Sequence, residues 1–312
     1  MNIKLEFIAC DLCGSNHNTI LFQARDYRYS HSEMFNIVKC KSCGLIYLNS
    51  RPTAESILEQ YKEDYIPPDE KLDNLKTSRV IFKKILGSFW YKIGGYYGIS
   101  EIKVKGRFLD VGCANGDTLE AARNMGADVY GIELNPKFVK ICKDKSLNVH
   151  CGILEDSAYP NDYFDIIWMS QVIEHLQSPK NSLKEIQRIL KPGGRLYILC
   201  PNAGSYLAKF FGKYWHGWHI PFHFYAYTKE TIIKSVTECG FKVEKLIATT
   251  PYHFFSVSLK SMIYGESDKT SMKRVKLIDS LLFGAAISLI FRILDLVLSE
   301  KGDCLTVVLK KE

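Results

Sequence analysis

Phe108-Leu109-Asp110-Val111-Gly112-Cys113-Ala114-Asn115-Gly116-Asp117 is the stretch on which the fold turns. An apolar run of strand character meets a turn of small residues, and a helical pattern starts at once. Small residues at that junction let backbone amides approach a ligand at the strand's carboxyl end, where open α/β sheets bind theirs. The next strand ends Val129-Tyr130-Gly131-Ile132-Glu133, which puts a carboxylate 23 residues after Asp110. A carboxylate at that position can accept hydrogen bonds from both hydroxyls of a ribose. A dinucleotide fingerprint, G-x-G-x-x-G, fits poorly, because Ala114 and Asp117 stand where its second and third glycines belong.

On either side of this stretch, strand and helix signals alternate. Strands are expected at Arg107–Val111, Asp128–Glu133, Asn148–Cys151, Phe164–Ser170 and Arg195–Cys200. Helices are expected at Asp117–Met125, Pro136–Lys145 and Pro179–Leu190, the last stopped by Lys191-Pro192-Gly193-Gly194. Such alternation builds a parallel sheet covered by helices. A helix at Lys229–Cys239 and strands at Phe241–Thr249 and Cys304–Leu309 complete the pattern.

Aspartate at the strand end followed by G-x-x-x-G resembles motif I of class I S-adenosylmethionine (SAM)-dependent methyltransferases. Tyr159-Pro160-Asn161-Asp162-Tyr163-Phe164-Asp165-Ile166-Ile167, Val172-Ile173-Glu174-His175-Leu176 and Ile189-Leu190-Lys191-Pro192-Gly193-Gly194 are similar to the later motifs, in order and spacing. The resemblance implies a Rossmann-like sheet of order 3-2-1-4-5-7-6 with strand 7 antiparallel, supplied by Cys304–Leu309. It also implies that Asp110, Gly112, Ala114 and Gly116 line the methionine and ribose part of SAM. Glu133 would hold the ribose and Leu134 would pack on adenine, while Met169 and Gln171 approach the methionyl end. Where family members often carry an aspartate after the third strand, this chain has Gly152-Ile153-Leu154. Adenine would then rest on packing by Ile153 and backbone groups near Leu154.

Cys10-x-x-Cys13-Gly14 and Cys40-x-x-Cys43-Gly44 are separated by 26 residues. Each C-x-x-C turn points two thiolates at one centre, and two such knuckles complete a tetrahedral structural zinc site. With all four positions filled by protein, none is open for catalysis. A redox pair is the alternative. The division expected is a zinc-binding module at 1–50, a helical basic and aromatic linker at 51–106 opened by Thr53 as N-cap, and a methyltransferase domain at 107–312. Within the last, a helical insertion spans about 251–302. The whole layout resembles methyltransferases of sugar-modification and surface-polysaccharide clusters, in which a CxxC/CxxC head precedes the catalytic domain.

The chain has 312 residues and a net charge of +7. That excess is local: Lys71, Lys76, Arg79, Lys83, Lys84, Lys92, Lys103, Lys105 and Arg107 oppose only Asp73 and Glu101, and the remaining 32 basic and 32 acidic residues balance. The stretch reads as a solvated helix face or as an attractor for an anionic acceptor such as a nucleotide-sugar or lipid diphosphate. The stretch MNIKLEFIACDLCG lacks an apolar region long enough for a signal peptide, and the longest apolar run, Leu281 to Phe291, is about half the ~20 residues of a spanning helix, so neither is expected. The six cysteines outside the two pairs lie in apolar surroundings, where a reduced thiol behaves as a small hydrophobe. A cytoplasmic protein is expected, with peripheral contact at the inner membrane face as an alternative.

Methyl transfer to oxygen needs positioned partners and a proton acceptor. Trp215-His216-Gly217-Trp218-His219-Ile220-Pro221-Phe222-His223-Phe224-Tyr225 follows the fifth strand, where acceptor loops lie in the superfamily that this chain resembles. His223 is the first choice for general base and His175 the second; either could instead hold its loop by hydrogen bonding. His219 and His223 also have the i,i+4 spacing of a metal pair, but the sequence offers no third ligand. The dense aromatic residues suit stacking on a sugar ring, although packing accounts for most of them.

Residues 276–299 carry a narrow polar line (Ser280, Gly284, Ser288, Arg292, Asp295, Ser299) on an otherwise apolar helix. Internal or homo-oligomer packing is the favoured reading and a bilayer surface the alternative. The resulting functional expectation is methyl transfer to a small or lipid-linked saccharide hydroxyl. An RNA base methyltransferase with a zinc head, or a non-catalytic zinc-containing scaffold, are the competing readings. Neutral charge outside 71–107 counts against nucleic acid.

Overall fold

A computed structural model describes residues 4–25, 34–57, 97–264, 275, 278 and 281–312. The head contains β1 (Leu5–Glu6), β2 (Asn18–Arg25), β3 (Met34–Cys40), β4 (Ile46–Leu48) and β5 (Arg51–Pro52). Alternation then begins with β6 (Arg107–Val111), α1 (Asp117–Asn124), β7 (Asp128–Glu133), α2 (Pro136–Asp144) and β8 (Asn148–Cys151). It continues through β9 (Phe164–Ser170), α3 (Pro179–Ile189), β10 (Leu190–Pro201), α4 (Tyr206–Phe211), β11 (Tyr225–Ala226) and α5 (Lys229–Glu238). The chain closes with β12 (Phe241–Thr249), α6 (Tyr252–Tyr264), α7 (Leu281–Val297) and β13 (Cys304–Lys311).

The main sheet has the order β8-β7-β6-β9-β10-β13-β12. Its first five strands pair in parallel, and β13 runs antiparallel to both β10 and β12. This is the 3-2-1-4-5-7-6 Rossmann-like methyltransferase sheet expected from the motifs. Helices cover both faces, so central strands bury apolar residues on both sides: Phe108, Leu109 and Val111 of β6 are all buried. One expected boundary shifts. Lys191-Pro192-Gly193-Gly194 lies inside β10, as a bulge between Leu190, which pairs with Phe164, and Arg195, which pairs with Ile166. Pro192 has no N–H to give the ladder and Gly193 has φ +78°, so the strand bends there without ending.

The head is joined to the sheet domain by backbone and side chain. β4 pairs with β3 on one edge and with β11 on the other, so one four-stranded sheet contains both cysteine-bearing and later residues. Asp11, between the first two cysteines, accepts from the Lys180 N–H at 2.9 Å and the Ser178 hydroxyl at 2.8 Å. It therefore supplies a carboxylate to the first turn of α3, where free N–H groups need an acceptor. Arg51 is buried; it donates to the Gln177 carbonyl at 2.7 Å and the Tyr225 hydroxyl at 3.0 Å.

α7 is turned inside out. Its polar line faces the protein: Ser288 is buried, and Asp295 accepts from the Thr250 N–H and hydroxyl, both at 2.8 Å, while pairing with Arg292 at 2.9 Å. Phe291 packs inward with Leu207, Phe211, Trp215 and Phe254. Leu289, Ile290, Ile293, Leu296 and Val297 are exposed. Internal packing thus uses the polar stripe, which meets Thr250 and Tyr206, together with the apolar contact of Phe291 beside it. No helix among the described residues is long and apolar enough to cross a membrane.

Of the basic stretch, Lys71, Lys76, Arg79, Lys83, Lys84 and Lys92 lie outside the described residues, as does most of the linker helix expected after Thr53. Arg107 starts β6, at the sheet edge away from the glycine loop, and stacks its guanidinium 4.1 Å from the centre of the Tyr163 ring.

Candidate active site

The glycine loop leaves β6 at its carboxyl end. The N–H groups of Gly112 and Cys113 donate to the Ile132 carbonyl at 2.8 and 3.0 Å, which locks the loop onto β7. Gly112 has φ +75°, and a Cβ there would sit 2.5 Å from a methyl of Val172. Glycine is therefore required both for the left-handed backbone and for the close approach of the Val172–His175 turn. Gly116 (φ +82°) and Ala114 (φ +44°) complete a run of left-handed positions that turns the loop into α1.

Glu133 closes this loop from the side. One carboxylate oxygen accepts from the Ala114 N–H at 2.9 Å and the other from the Asn135 N–H at 2.7 Å. Each oxygen keeps a further lone pair for a hydroxyl donor. Burial raises the Glu133 carboxyl above its ordinary range, against the opposing pull of those amides. Asp110 is buried beneath the loop, and desolvation together with the Glu133 charge lifts it well above the usual carboxylate range. Leu134 and Ile153 are exposed apolar side chains after β7 and β8, as a surface for an adenine face needs. Gln171 is exposed after β9, its backbone left-handed at φ +56° and its N–H donating to the Leu199 carbonyl at 2.7 Å. Met169 and Leu154 are instead buried in the core. Of these two, only backbone groups are candidates to face a ligand.

His175 and His223, distant in sequence, have ring centres 4.5 Å apart, and His219 lies 4.9 Å from His223. Two backbone ties create this meeting. The Phe224 N–H donates to the Glu174 carbonyl at 2.8 Å, and His175 Nδ1 lies 2.9 Å from the Phe222 carbonyl oxygen. His223 Nδ1 lies 2.7 Å from the Gly217 carbonyl oxygen. A ring nitrogen that close to a carbonyl must carry the proton, so Nε2 of each neutral ring is the basic nitrogen. The loop is anchored by Trp215, whose buried indole N–H donates to Asp303 at 2.6 Å. Trp215, Phe222, Phe224, Tyr225 and Tyr227 are all buried. Packing therefore accounts for most of the aromatic density, and Trp218 remains half-buried at its edge.

Sequence reasoning gave Glu174 no role. Its carboxylate is buried against His175 and His223, neither oxygen has a hydrogen-bond partner on another described residue, and desolvation pushes its pKa up to about 8. The signal was present as a lone acid in the apolar run Val172-Ile173-Glu174-His175-Leu176. Asp11, Arg51 and Asp303 were also missed, because their partners are more than 80 residues away in the chain.

The four head cysteines converge. Cys10 and Cys43 sulfurs are 3.4 Å apart, Cys13 and Cys40 sulfurs 3.5 Å, and all four lie within 4.8 Å of one another. Gly14 and Gly44, both left-handed, turn their N–H groups back to the Cys10 and Cys40 carbonyls at 2.7 and 3.0 Å. Burial opposes ionisation of Cys40, but the amides of Cys43 and Ser42 overcome it and lower the thiol to about 6.

Residues 96–246 match the family model described as a methyltransferase domain. The chain is 30% identical over 158 residues to the ubiquinone biosynthesis O-methyltransferase of Thiobacillus denitrificans, covering 46% of this chain and 68% of that protein. It is 24% identical over 188 residues to phosphoethanolamine N-methyltransferase 3 of Arabidopsis thaliana, covering 54% of this chain but 38% of that protein. A solved SAM-dependent methyltransferase from Archaeoglobus fulgidus superposes with a TM-score of 0.48 at 21% identity, covering 78% of this chain and 97% of that one. With the motif I loop at the carboxyl edge of a sheet of this strand order, and a relative matched over two thirds of its length, the chain belongs to the class I SAM-dependent methyltransferases.

Proposed function

We propose that this methyltransferase acts on a hydroxyl of an anionic sugar or saccharide, small or lipid-linked, and that its cysteine head holds a structural zinc ion. The pairing of His175 with His223 carries the reading. Two imidazoles, each with Nδ1 fixed by a backbone carbonyl, stand one turn from Val172, which the glycine loop abuts. The O-methyltransferase named among the relatives supports oxygen as the accepting atom.

Bound along Gly112, Ala114, Gly116 and Glu133, SAM supplies an electrophilic methyl group on a sulfonium. The Glu133 carboxylate would orient the cofactor, and Leu134 and Ile153 offer an apolar face to its base. His223 Nε2 would take the hydroxyl proton as the acceptor oxygen bonds to the methyl carbon and that carbon's bond to sulfur breaks, with S-adenosylhomocysteine as the leaving group, and His175 would keep the neighbouring imidazole in place. General base catalysis of this kind contributes roughly 10²–10⁴-fold. His223→Ala should therefore lose turnover on that scale while calorimetric SAM affinity holds. Intact turnover in that variant would reject His223 as the base. Labelled SAM with a panel of nucleotide-sugars and lipid-linked glycans identifies the acceptor.

The sulfur separations of 3.4 and 3.5 Å approach the ~3.8 Å edge of a tetrahedron with Zn–S near 2.3 Å. A closed four-thiolate site suits zinc over the harder cations. Its role is structural: it supplies folding energy to a head with little core of its own.

A further inference from the structure

We propose that Glu174, His175 and His223 form a second metal site, for a divalent first-row transition cation, where the Val172–His175 turn meets the histidine loop. The proposal rests on the reading of these histidines as the acceptor side for its functional meaning, but the geometry stands by itself. One carboxylate oxygen and one nitrogen from each imidazole lie within 4.8 Å of one another. Two histidines and one carboxylate are the ligand set of three-residue sites for zinc and its neighbours, which leave positions open for a substrate oxygen.

Two independent observations point to a cation. The first is the Glu174 carboxylate, 1% exposed, with no hydrogen bond to either oxygen from any other described residue. A buried carboxylate is costly unless paired or coordinated, and Ser, Asn or an apolar residue would fill the position at lower cost. The second is the second shell. Both imidazoles have Nδ1 against a backbone carbonyl, at 2.9 Å from Phe222 and 2.7 Å from Gly217. That arrangement fixes the tautomer and ring plane and presents Nε2, as metal-ligating histidines do. The loop and turn that carry the ligands are stitched together by the Phe224-to-Glu174 backbone bond, so the site does not depend on flexible segments.

This site differs from the cysteine cluster in ligand chemistry and in openness. Four thiolates close the first; nitrogen and oxygen ligands with vacant positions characterise the second. A cation held there would lower the pKa of an acceptor hydroxyl on the open position; without it, His223 Nε2 takes the hydroxyl proton as proposed above.

Zinc stoichiometry tests the proposal on the full chain. Saturation with Zn2+, removal of excess and metal analysis should return two equivalents for the wild type. Glu174→Gln and His175→Ala should each return one, with the second equivalent weakened at least about 10-fold, whereas Cys40→Ser/Cys43→Ser should retain it. Glu174→Gln preserves shape and removes a buried charge, so its Tm should equal or exceed that of the wild type, which separates lost ligation from lost folding. A single equivalent in the wild type overturns the proposal. So does a second equivalent retained by both Glu174→Gln and His175→Ala. SAM calorimetry on the same samples reports the cofactor site separately, so failure of one reading leaves the other legible.

Discussion

The backbone N–H of Leu48, at the end of the cysteine-bearing head, donates to the carbonyl of Phe224 at 2.8 Å, and the N–H of Phe224 donates to the carbonyl of Glu174 at the same distance. Two hydrogen bonds thus connect the head to the histidine loop and on to the turn beneath the glycine loop. A module that looks in sequence like a separate appendage is hydrogen-bonded to the loop that carries His219 and His223.

This relay predicts that stripping the head of metal impairs chemistry more than cofactor binding. Chelation should release zinc and expose residues 4–57 to protease, since metal ligation contributes folding energy there. Methyl transfer should fall at least tenfold while calorimetric SAM affinity changes much less. Hydrogen exchange at the Leu48 and Phe224 amides checks the route, and unchanged protection after chelation would break it.

Glu133→Gln should weaken SAM by roughly 10–100-fold, the scale of one hydrogen bond to a charged group. The amide keeps one acceptor but turns an NH2 toward a backbone N–H, Ala114 or Asn135, that the carboxylate now satisfies. Titration calorimetry with SAM reads the loss directly. Comparable affinities would mean that the carboxylate only braces the loop.

Asp303 predicts a pH dependence of stability. Burial raises its pKa to about 7 from an ordinary 3.8, against hydrogen bonds from Ser205 and Trp215 and with the Asp295 charge adding to the rise. Between those values the folded chain keeps a proton that the unfolded chain has released. Its contribution is therefore full below pH 3.8 and is lost as pH rises to about 7, with a limiting slope near ~1.4 kcal/mol per unit. Asp303→Asn keeps an acceptor for Trp215 and cannot ionise. In urea melts it should gain on the wild type between pH 5 and pH 8; a constant difference would contradict the assignment.

The inverted α7 makes opposite predictions for its two faces. Leu296→Ser and Val297→Ser should change stability by no more than about 0.5 kcal/mol, as exposed substitutions do. Asp295→Ala should cost about 3 kcal/mol, because it strands Arg292 and the Thr250 donors behind a side chain that is 7% exposed. Chemical denaturation of the three variants separates the faces. Equal losses would mean that the helix packs by its apolar side.

The sheet was readable because each of its signals is local. Apolar runs bounded by Gly, Pro and Asn placed β6, β7, β8, β9 and β12 to the residue, while the strand order was implied by the resemblance of the motifs to methyltransferases. Boundaries slipped by a residue or two at helix ends and at β13, and most at Lys191-Pro192-Gly193-Gly194, where one residue type serves two elements. The glycine loop was equally legible, since left-handed backbone at Gly112 and Gly116 leaves a mark in residue type. Met169 read as a ligand contact but is core, because strand register decides which face a side chain takes and a window of sequence does not report register.

From the sequence by itself come the methyltransferase sheet, through the motifs it resembles, the glycine loop with Asp110 and Glu133, the paired cysteine knuckles and the candidate histidines. Each is recognised from a local pattern of residue types. Only the tertiary structure decided that the head shares a sheet with β11, that Glu174 joins His175 and His223, and that α7 turns its polar stripe inward. Those are long-range contacts. They are set by which surfaces meet once the sheet has formed, and burial beside a distant partner leaves no periodicity to read.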